Sequence, residues 1–143
     1  MAAPTVFHCF VKDVAHKVHN LGSDTLKCAL SNSAPAATNT VLANITEITA
    51  QNGYSSGGPT LSVTSSDQAS GVYKLILADN TLTATGGSIG PFQYAIIYNA
   101  TPTSPLKPLI QWYDYGSPQT LAAGESFVLD FDGTLGALKI AVA

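Results

Sequence analysis

The chain has 143 residues and a net charge of −3, with only 10% charged residues, and all six basic residues are Lys. This length fits one domain. A nucleic-acid partner is not expected, because binding phosphates requires clustered basic residues that displace counterions. With 45% hydrophobic residues and so few charges, we expect the surface to combine Ser, Thr and Asn with area buried against partner subunits. A monomer with a polar, uncharged surface is the alternative.

The sequence predicts no membrane partner and no export signal. Residues 1–5 lack the basic and apolar regions of a secretory signal. The longest apolar runs fall far short of the roughly 20 residues that cross a bilayer. Two cysteines, Cys9 and Cys28, are too few for a disulfide framework, and we expect both to be free thiols.

The first predicted element is an amphipathic helix over residues 7–21. Apolar residues recur there at intervals of three and four, as on one face of a helix. They are Phe7, Phe10, Val11, Val14, Val18 and Leu21. Pro4 and Thr5 provide start signals, and Gly22 provides a stop signal.

After residue 22 the apolar period changes to two, which is typical of half-buried strands. Turn residues such as Gly, Asn, Asp and Pro separate the alternating segments. The segments are 25–31, 60–66, 72–78, 81–85, 92–99, 109–115, 125–132 and 138–142. The fold class predicted is mainly β: an antiparallel β-sandwich or jelly roll of about eight strands. One domain, 1–143, would comprise an N-terminal helix or arm (1–22) and the sandwich (23–143). The clearest predicted hairpin joins 125–132 to 138–142.

Two groups of residues suggest chemistry that their context does not favour. Ser88 lies in a G-x-S-x-G pattern, but Pro91 and a predicted strand follow it, whereas a nucleophile elbow leads into a helix. His16 and His19, with Asp13 one turn earlier, form an incomplete ligand set for a metal. A solvated helix face is the favoured interpretation of these three residues.

Carboxylates and aromatic residues give no catalytic signature either. Asp130 and Asp132 share one side of a predicted strand, and we interpret them as a solvent-facing strand edge and its turn, not as a glycosidase pair. Strand alternation places Trp112 and Tyr113 on opposite faces. We expect Trp112 in the core, with Tyr113 or Tyr115 at an interface. The sequence therefore predicts no catalytic residue, no metal and no cofactor.

Several stretches resemble small structural proteins of tailed bacteriophages. The longest is residues 17–35, KVHNLGSDTLKCALSNSAP. The others follow in order: NGY at 52–54 with GG at 57–58, GGSIGPF at 86–92, WYDYG at 112–116 and GESF at 124–127. These are turn and core residues, not a catalytic motif. The resemblance implies a non-enzymatic virion protein made in the host cytoplasm, most simply a jelly-roll head decoration (cement) protein on the outer surface of the capsid.

The partners implied are the major capsid protein and further copies of the chain in a homo-oligomer. Many modest contacts to several capsid subunits would add through avidity. The candidate interface residues are Phe7, Phe10 and Val14 on the helix, Pro105 in the stiff loop 102–108, and Tyr113 and Tyr115. A tail or fibre-tip module that binds host glycans through Tyr113 or Tyr115 is the alternative. A small hydrolase using Ser88 or Asp130 is a third and weaker hypothesis.

Overall fold

A computed structural model describes residues 3–142, which form ten β-strands, one α-helix and one short 3-10 helix. The helices are α1 His8–Ala15 and the 3-10 helix Leu42–Asn44. The strands are β1 Thr5–Val6, β2 Leu26–Ser31, β3 Thr60–Leu61, β4 Val63–Ala69, β5 Val72–Leu77, β6 Asn80–Thr83, β7 Ile89–Asn99, β8 Leu109–Leu121, β9 Ser126–Leu129 and β10 Leu138–Ala141. Every pairing between these strands is antiparallel. The predicted mainly β, antiparallel fold class is confirmed.

The strands of the described chain form three sheets, in the orders β1-β8-β7-β2-β3, β10-β5-β4 and β6-β9. The two smaller sheets are built from neighbouring parts of the chain. β6 directly follows β5, and their partners β9 and β10 are also consecutive: β6 pairs with β9, and β5 pairs with β10. One apolar cluster contains Cys28 and Ile97 from the five-stranded sheet together with Leu75 and Leu129 from the smaller sheets. The main core therefore lies between layers, in a sandwich-like arrangement.

The outer face of the five-stranded sheet is also covered. A second cluster on this face contains the fully buried Ala29 and Ile96, with Leu42 and Ile45 of the long β2–β3 connection packed against it. Burial on both faces explains why five consecutive residues of β7, from Ala95 to Asn99, are buried. Alternation is lost in the middle of this sheet because neither face meets water.

The N-terminal helix is shorter than predicted. Thr5, expected to start it, instead pairs with Trp112 as part of β1. The helix ends at Ala15 because Lys17 takes a left-handed conformation, with φ 63°. The Lys17 and Val18 N–H groups donate to the carbonyls of Val14 and Asp13, at 3.2 and 2.9 Å. This pair of bonds is a Schellman motif, and it ends the helix well before Gly22.

The predicted hairpin between 125–132 and 138–142 is wrong. β9 pairs with β6 and β10 pairs with β5. The turn between them is closed locally, because the Asp132 carboxylate accepts the N–H groups of Thr134 and Leu135 at 2.8 and 2.7 Å. Beyond that turn, the Ala137 N–H donates to the Leu75 carbonyl at 2.8 Å. The chain thus moves from one partner strand to the next without doubling back on itself.

At Gly58 the β2–β3 connection lies directly against the backbone of β2. A Cβ at this position would lie 1.8 Å from the Cys28 carbonyl oxygen, and the φ of Gly58 is +73°. Both the space and the conformation therefore require glycine. Gly133 provides the opposite case, since a Cβ there meets nothing within 4 Å.

We expect Gly58→Ala to destabilise the fold by about 3 kcal/mol or more, since overpacking and left-handed strain add. Gly133→Ala is the matched control and should stay within about 0.5 kcal/mol of the parent. Urea unfolding followed by circular dichroism measures both. Equal stability of the two variants would contradict the close approach of Gly58 to β2.

Lys17→Gly should stabilise the chain by about 0.5–1 kcal/mol, because glycine removes the left-handed strain at the helix end. The larger backbone entropy that glycine loses on folding offsets part of this gain. The same change at Lys12, an exposed position inside α1, should cost about 1 kcal/mol. Urea midpoints of the two variants test the pair. A loss of stability in both would show that Lys17 does not end the helix.

Candidate interaction surface

Helix α1 presents apolar residues on two sides. Phe10 is turned inward and is 4% exposed, whereas Val11 is 72% exposed and Val14 is 37% exposed. The predicted apolar stripe is therefore wider than the part that the domain itself covers. Exposed apolar side chains become candidates for an interaction site where they belong to a larger contiguous patch. We call Val11 and Val14 the helix face.

A depression of about 660 Å³ adjoins the helix face. Val14, Val18 and Leu21 line one side, and Tyr73 of β5 and Ile140 of β10 line the other. Ile140 is exposed, on a strand at the edge of its sheet. We call this depression the α1–β10 groove. Polar residues, among them Lys17, Asn20 and Asp24, complete the lining. The groove and the helix face form one continuous surface in which aliphatic side chains are interspersed with polar ones.

A polar network lies at the base of the groove. The buried Asn99 donates through Nδ2 to Asp24 Oδ2 at 2.7 Å and to His19 Nδ1 at 3.1 Å. The His19 ring also contacts the Phe10 ring, with centroids 5.2 Å apart, and its Nε2 is buried without a hydrogen-bond partner. Burial lowers the pKa of His19, and the carboxylates of Asp13 and Asp24 partly offset this effect.

A second depression, of about 670 Å³, lies beside the loop between β9 and β10. Tyr113, Asp130, Asp132 and Lys139 contribute to its lining. The N–H groups of Leu135 and Thr134 lower the pKa of the Asp132 carboxyl. Asp132 is thus an ionised turn cap and does not hold a proton for acid catalysis near neutrality.

Three of the six predicted interface residues are buried within the domain. Phe7 packs on Trp112, with ring centroids 4.5 Å apart, and Phe10 and Tyr113 are each 4% exposed. Their own domain covers them, so they do not offer a free surface. Val14 belongs to the helix face, while Pro105 and Tyr115 are half-buried.

The two aromatic residues of β8 lie on opposite faces, as alternation predicts, but their environments are the reverse of the expectation. Tyr113 is in the main core and contacts Phe131, with ring centroids 5.9 Å apart. Trp112 is half-buried on the outer face beneath Phe7. The reason is that the sheet is covered on both sides, so that alternation alone cannot identify the inner face.

The remaining candidates for chemistry are dispersed. His16 is exposed at the end of α1, while His19 lies beyond the helix and Asp13 is buried, so these three residues do not form the predicted solvated helix face. No group of three or more His, Cys, Asp or Glu residues within 3–142 could hold a metal ion. A strand and not a helix follows Ser88, as the sequence context predicted, although β7 begins at Ile89, three residues before the predicted strand 92–99. Cys9 and Cys28 are free.

Among the described residues, no helix is long and apolar enough to cross a membrane. Comparison with models of protein families, with curated proteins and with solved structures finds no match for this chain.

Sequence reasoning missed two parts of this surface. Val11 belongs to the predicted apolar stripe but is not among the candidate interface residues, and no local signal distinguishes it from Phe10. The contact of Asn99 with His19 and Asp24 joins positions 75 to 80 residues apart. The only sequence trace of that contact is a single polar residue at the end of an apolar strand.

Replacing Val11 with Ser should change the free energy of unfolding by less than about 0.5 kcal/mol, because the side chain is mostly in water. Phe10→Ala, one residue earlier, should cost about 3–5 kcal/mol by leaving a cavity. Urea unfolding compares the two variants. A large loss from Val11→Ser would mean that the domain itself uses the helix face.

Proposed function

We propose that this chain is a non-enzymatic virion protein that decorates the head lattice of a tailed phage and stabilises it. The observation that carries the proposal is the helix face beside the α1–β10 groove: an aliphatic surface that the domain leaves uncovered, on a chain with few charges. The resemblance to small structural proteins of tailed phages indicates the major capsid protein as the partner, together with further copies of the chain.

The chemistry of the surface suits lattice binding. Covering an aliphatic surface is favourable at roughly 25 cal/mol per Å². The charged side chains in the groove lining are those of Lys17 and Asp24, and the helix face adds none, which keeps the opposing cost of desolvation small. Each contact is modest, but a subunit that touches several lattice members at once gains affinity through avidity. A decoration protein therefore needs a broad and weakly polar surface rather than a deep pocket.

The glycan-binding alternative receives less support from the aromatic residues that suggested it. Tyr113 is buried in the main core. Tyr115 is half-buried and makes edge-to-face contacts with Phe92 and Phe127, with ring centroids 6.4 and 5.0 Å apart. A sugar-stacking platform needs an open aromatic face. Neither tyrosine ring is as exposed as the aliphatic side chains of the helix face.

Copy number tests the proposal directly. In purified particles of the phage that encodes this chain, we expect the ratio of this protein to the major capsid protein to correspond to a lattice component present throughout the head. Quantitative mass spectrometry with labelled standards of both proteins measures the ratio. A count that corresponds only to a tail or fibre would favour the alternative, and absence from the particles would reject both.

A charge on the helix face should prevent attachment. We expect Val11→Asp to reduce binding of the purified protein to particles that lack it by at least about tenfold, because attachment would then bury an unpaired carboxylate. Thr81→Asp, which adds the same charge at an exposed position of β6, is the matched control and should bind as the parent does. Co-sedimentation with particles gives both affinities. Equal binding of the two variants would exclude the helix face as the attachment site.

A further inference from the structure

The side chain of Asn99 has a fixed orientation. It is 0% exposed, and each end of its amide has a partner. Its Oδ1 accepts the Thr101 N–H at 3.1 Å, while its Nδ2 donates to Asp24 and His19. Reversing the amide would place Oδ1 against the Asp24 carboxylate and the NH₂ group against the Thr101 N–H. Both contacts would be repulsive, so Nδ2 must face His19.

This orientation determines the proton state of His19. A nitrogen that accepts from Asn99 Nδ2 carries no proton, so His19 is neutral and its proton is on Nε2. Protonation would put a second donor opposite the Nδ2–H of Asn99. Asn99 cannot turn to accept that proton without losing its contacts with both Thr101 and Asp24.

We infer that Asn99 and His19 form a latch that, while His19 is neutral, acts together with the Asp24–Asn99 bond to hold the connection between α1 and β2 against the end of β7, and that protonation of His19 breaks the latch. The connection also carries Val18 and Leu21, which line the α1–β10 groove. Release would therefore change the shape of the groove. The latch is a property of the folded chain alone and does not depend on the proposed function.

The groups around His19 shift its pKa in opposite directions. Asp13 from α1 and Asp24 from the connection favour the charged imidazole, but desolvation is the larger effect, so the pKa of His19 in the folded chain is lowered. Lys17 and Tyr73 also line the groove. The Tyr73 phenol is neutral where histidine titrates, and burial raises its pKa further.

The sign of the effect on stability follows from this lowered pKa. An unfolded chain takes up a proton at His19 near pH 6.5, its ordinary value. The folded chain resists that proton until a lower pH. The contribution of the latch is thus fully present above about pH 6.5 and is lost progressively as the pH falls toward the folded-state pKa.

An NMR titration of the unmodified protein tests the latch. His8 and His16 are exposed and serve as internal references. We expect the His19 ring signals to titrate at lower pH than those of His16, and the Asn99 side-chain NH₂ signals to shift with the same midpoint as His19. If His19 titrates together with His16, or if the Asn99 signals do not respond, the latch does not exist.

A pair of variants provides a second measurement. His19→Asn keeps an acceptor near the position of Nδ1 but cannot be protonated, whereas His16→Asn removes an exposed histidine. Between about pH 7.5 and about pH 5, which brackets histidine titration, the urea midpoints of the parent and His16→Asn should fall further than that of His19→Asn. Equal falls in all three proteins would overturn the inference. If His19→Asn does not fold, the titration of the unmodified protein still decides.

Discussion

Burial of the five-stranded sheet on both faces is the constraint on which the rest of the structure depends. One face is covered by the two smaller sheets, and the other relies on the long connection between β2 and β3. A coil segment can cover a sheet only if its polar backbone groups find partners. Within the connection the Glu47 carboxylate accepts the Gly57 N–H, and the Tyr54 hydroxyl joins the connection to β2, because it accepts the Leu30 N–H at 3.0 Å and donates to Glu47 Oε1 at 2.6 Å. Burial and the Glu47 carboxylate raise the pKa of Tyr54, so the phenol stays protonated and remains a donor.

The same constraint determines which part of α1 remains free. The outer face of the sheet needs Phe7 to fill the space beside Trp112, and β1 holds the start of the helix to the edge of β8. Phe10 is turned into the main core and touches His19. With those two aromatic side chains committed, the rotation of the helix is fixed: Val11 faces outward, and Val14, one turn beyond Phe10, lies partly exposed at the margin of the buried side. The position of the candidate interaction surface thus follows from the way the sheet is covered.

Local patterns predicted the strands well, because a period of two is a property of each segment by itself. The errors arise where a partner distant in sequence decides the outcome. β9 and β10 are close in sequence but pair with β6 and β5. Lys17 ends the helix in the left-handed conformation, which at helix ends is usually adopted by glycine, so the sequence gives no sign of it. Trp112 and Tyr113 alternate as expected, but two covered faces make alternation uninformative about which side is the inner one. No pattern of spacing could connect His19 with Asn99, since chain topology alone brings them together.

The character of the surface is related to how the few acidic residues of the chain are used. Seven of the nine acidic residues accept a backbone N–H through their carboxylates: Asp24, Glu47, Asp67, Asp79, Asp114, Glu125 and Asp132. The Gln93 side chain and the Gly116 N–H lower the pKa of the Asp114 carboxyl, and the N–H groups of Leu135 and Thr134 lower that of Asp132, so both charges persist in mild acid. Most of the negative charge therefore serves to close turns and connections. The helix face consists of aliphatic side chains. A surface of that kind loses little hydration energy when a partner covers it.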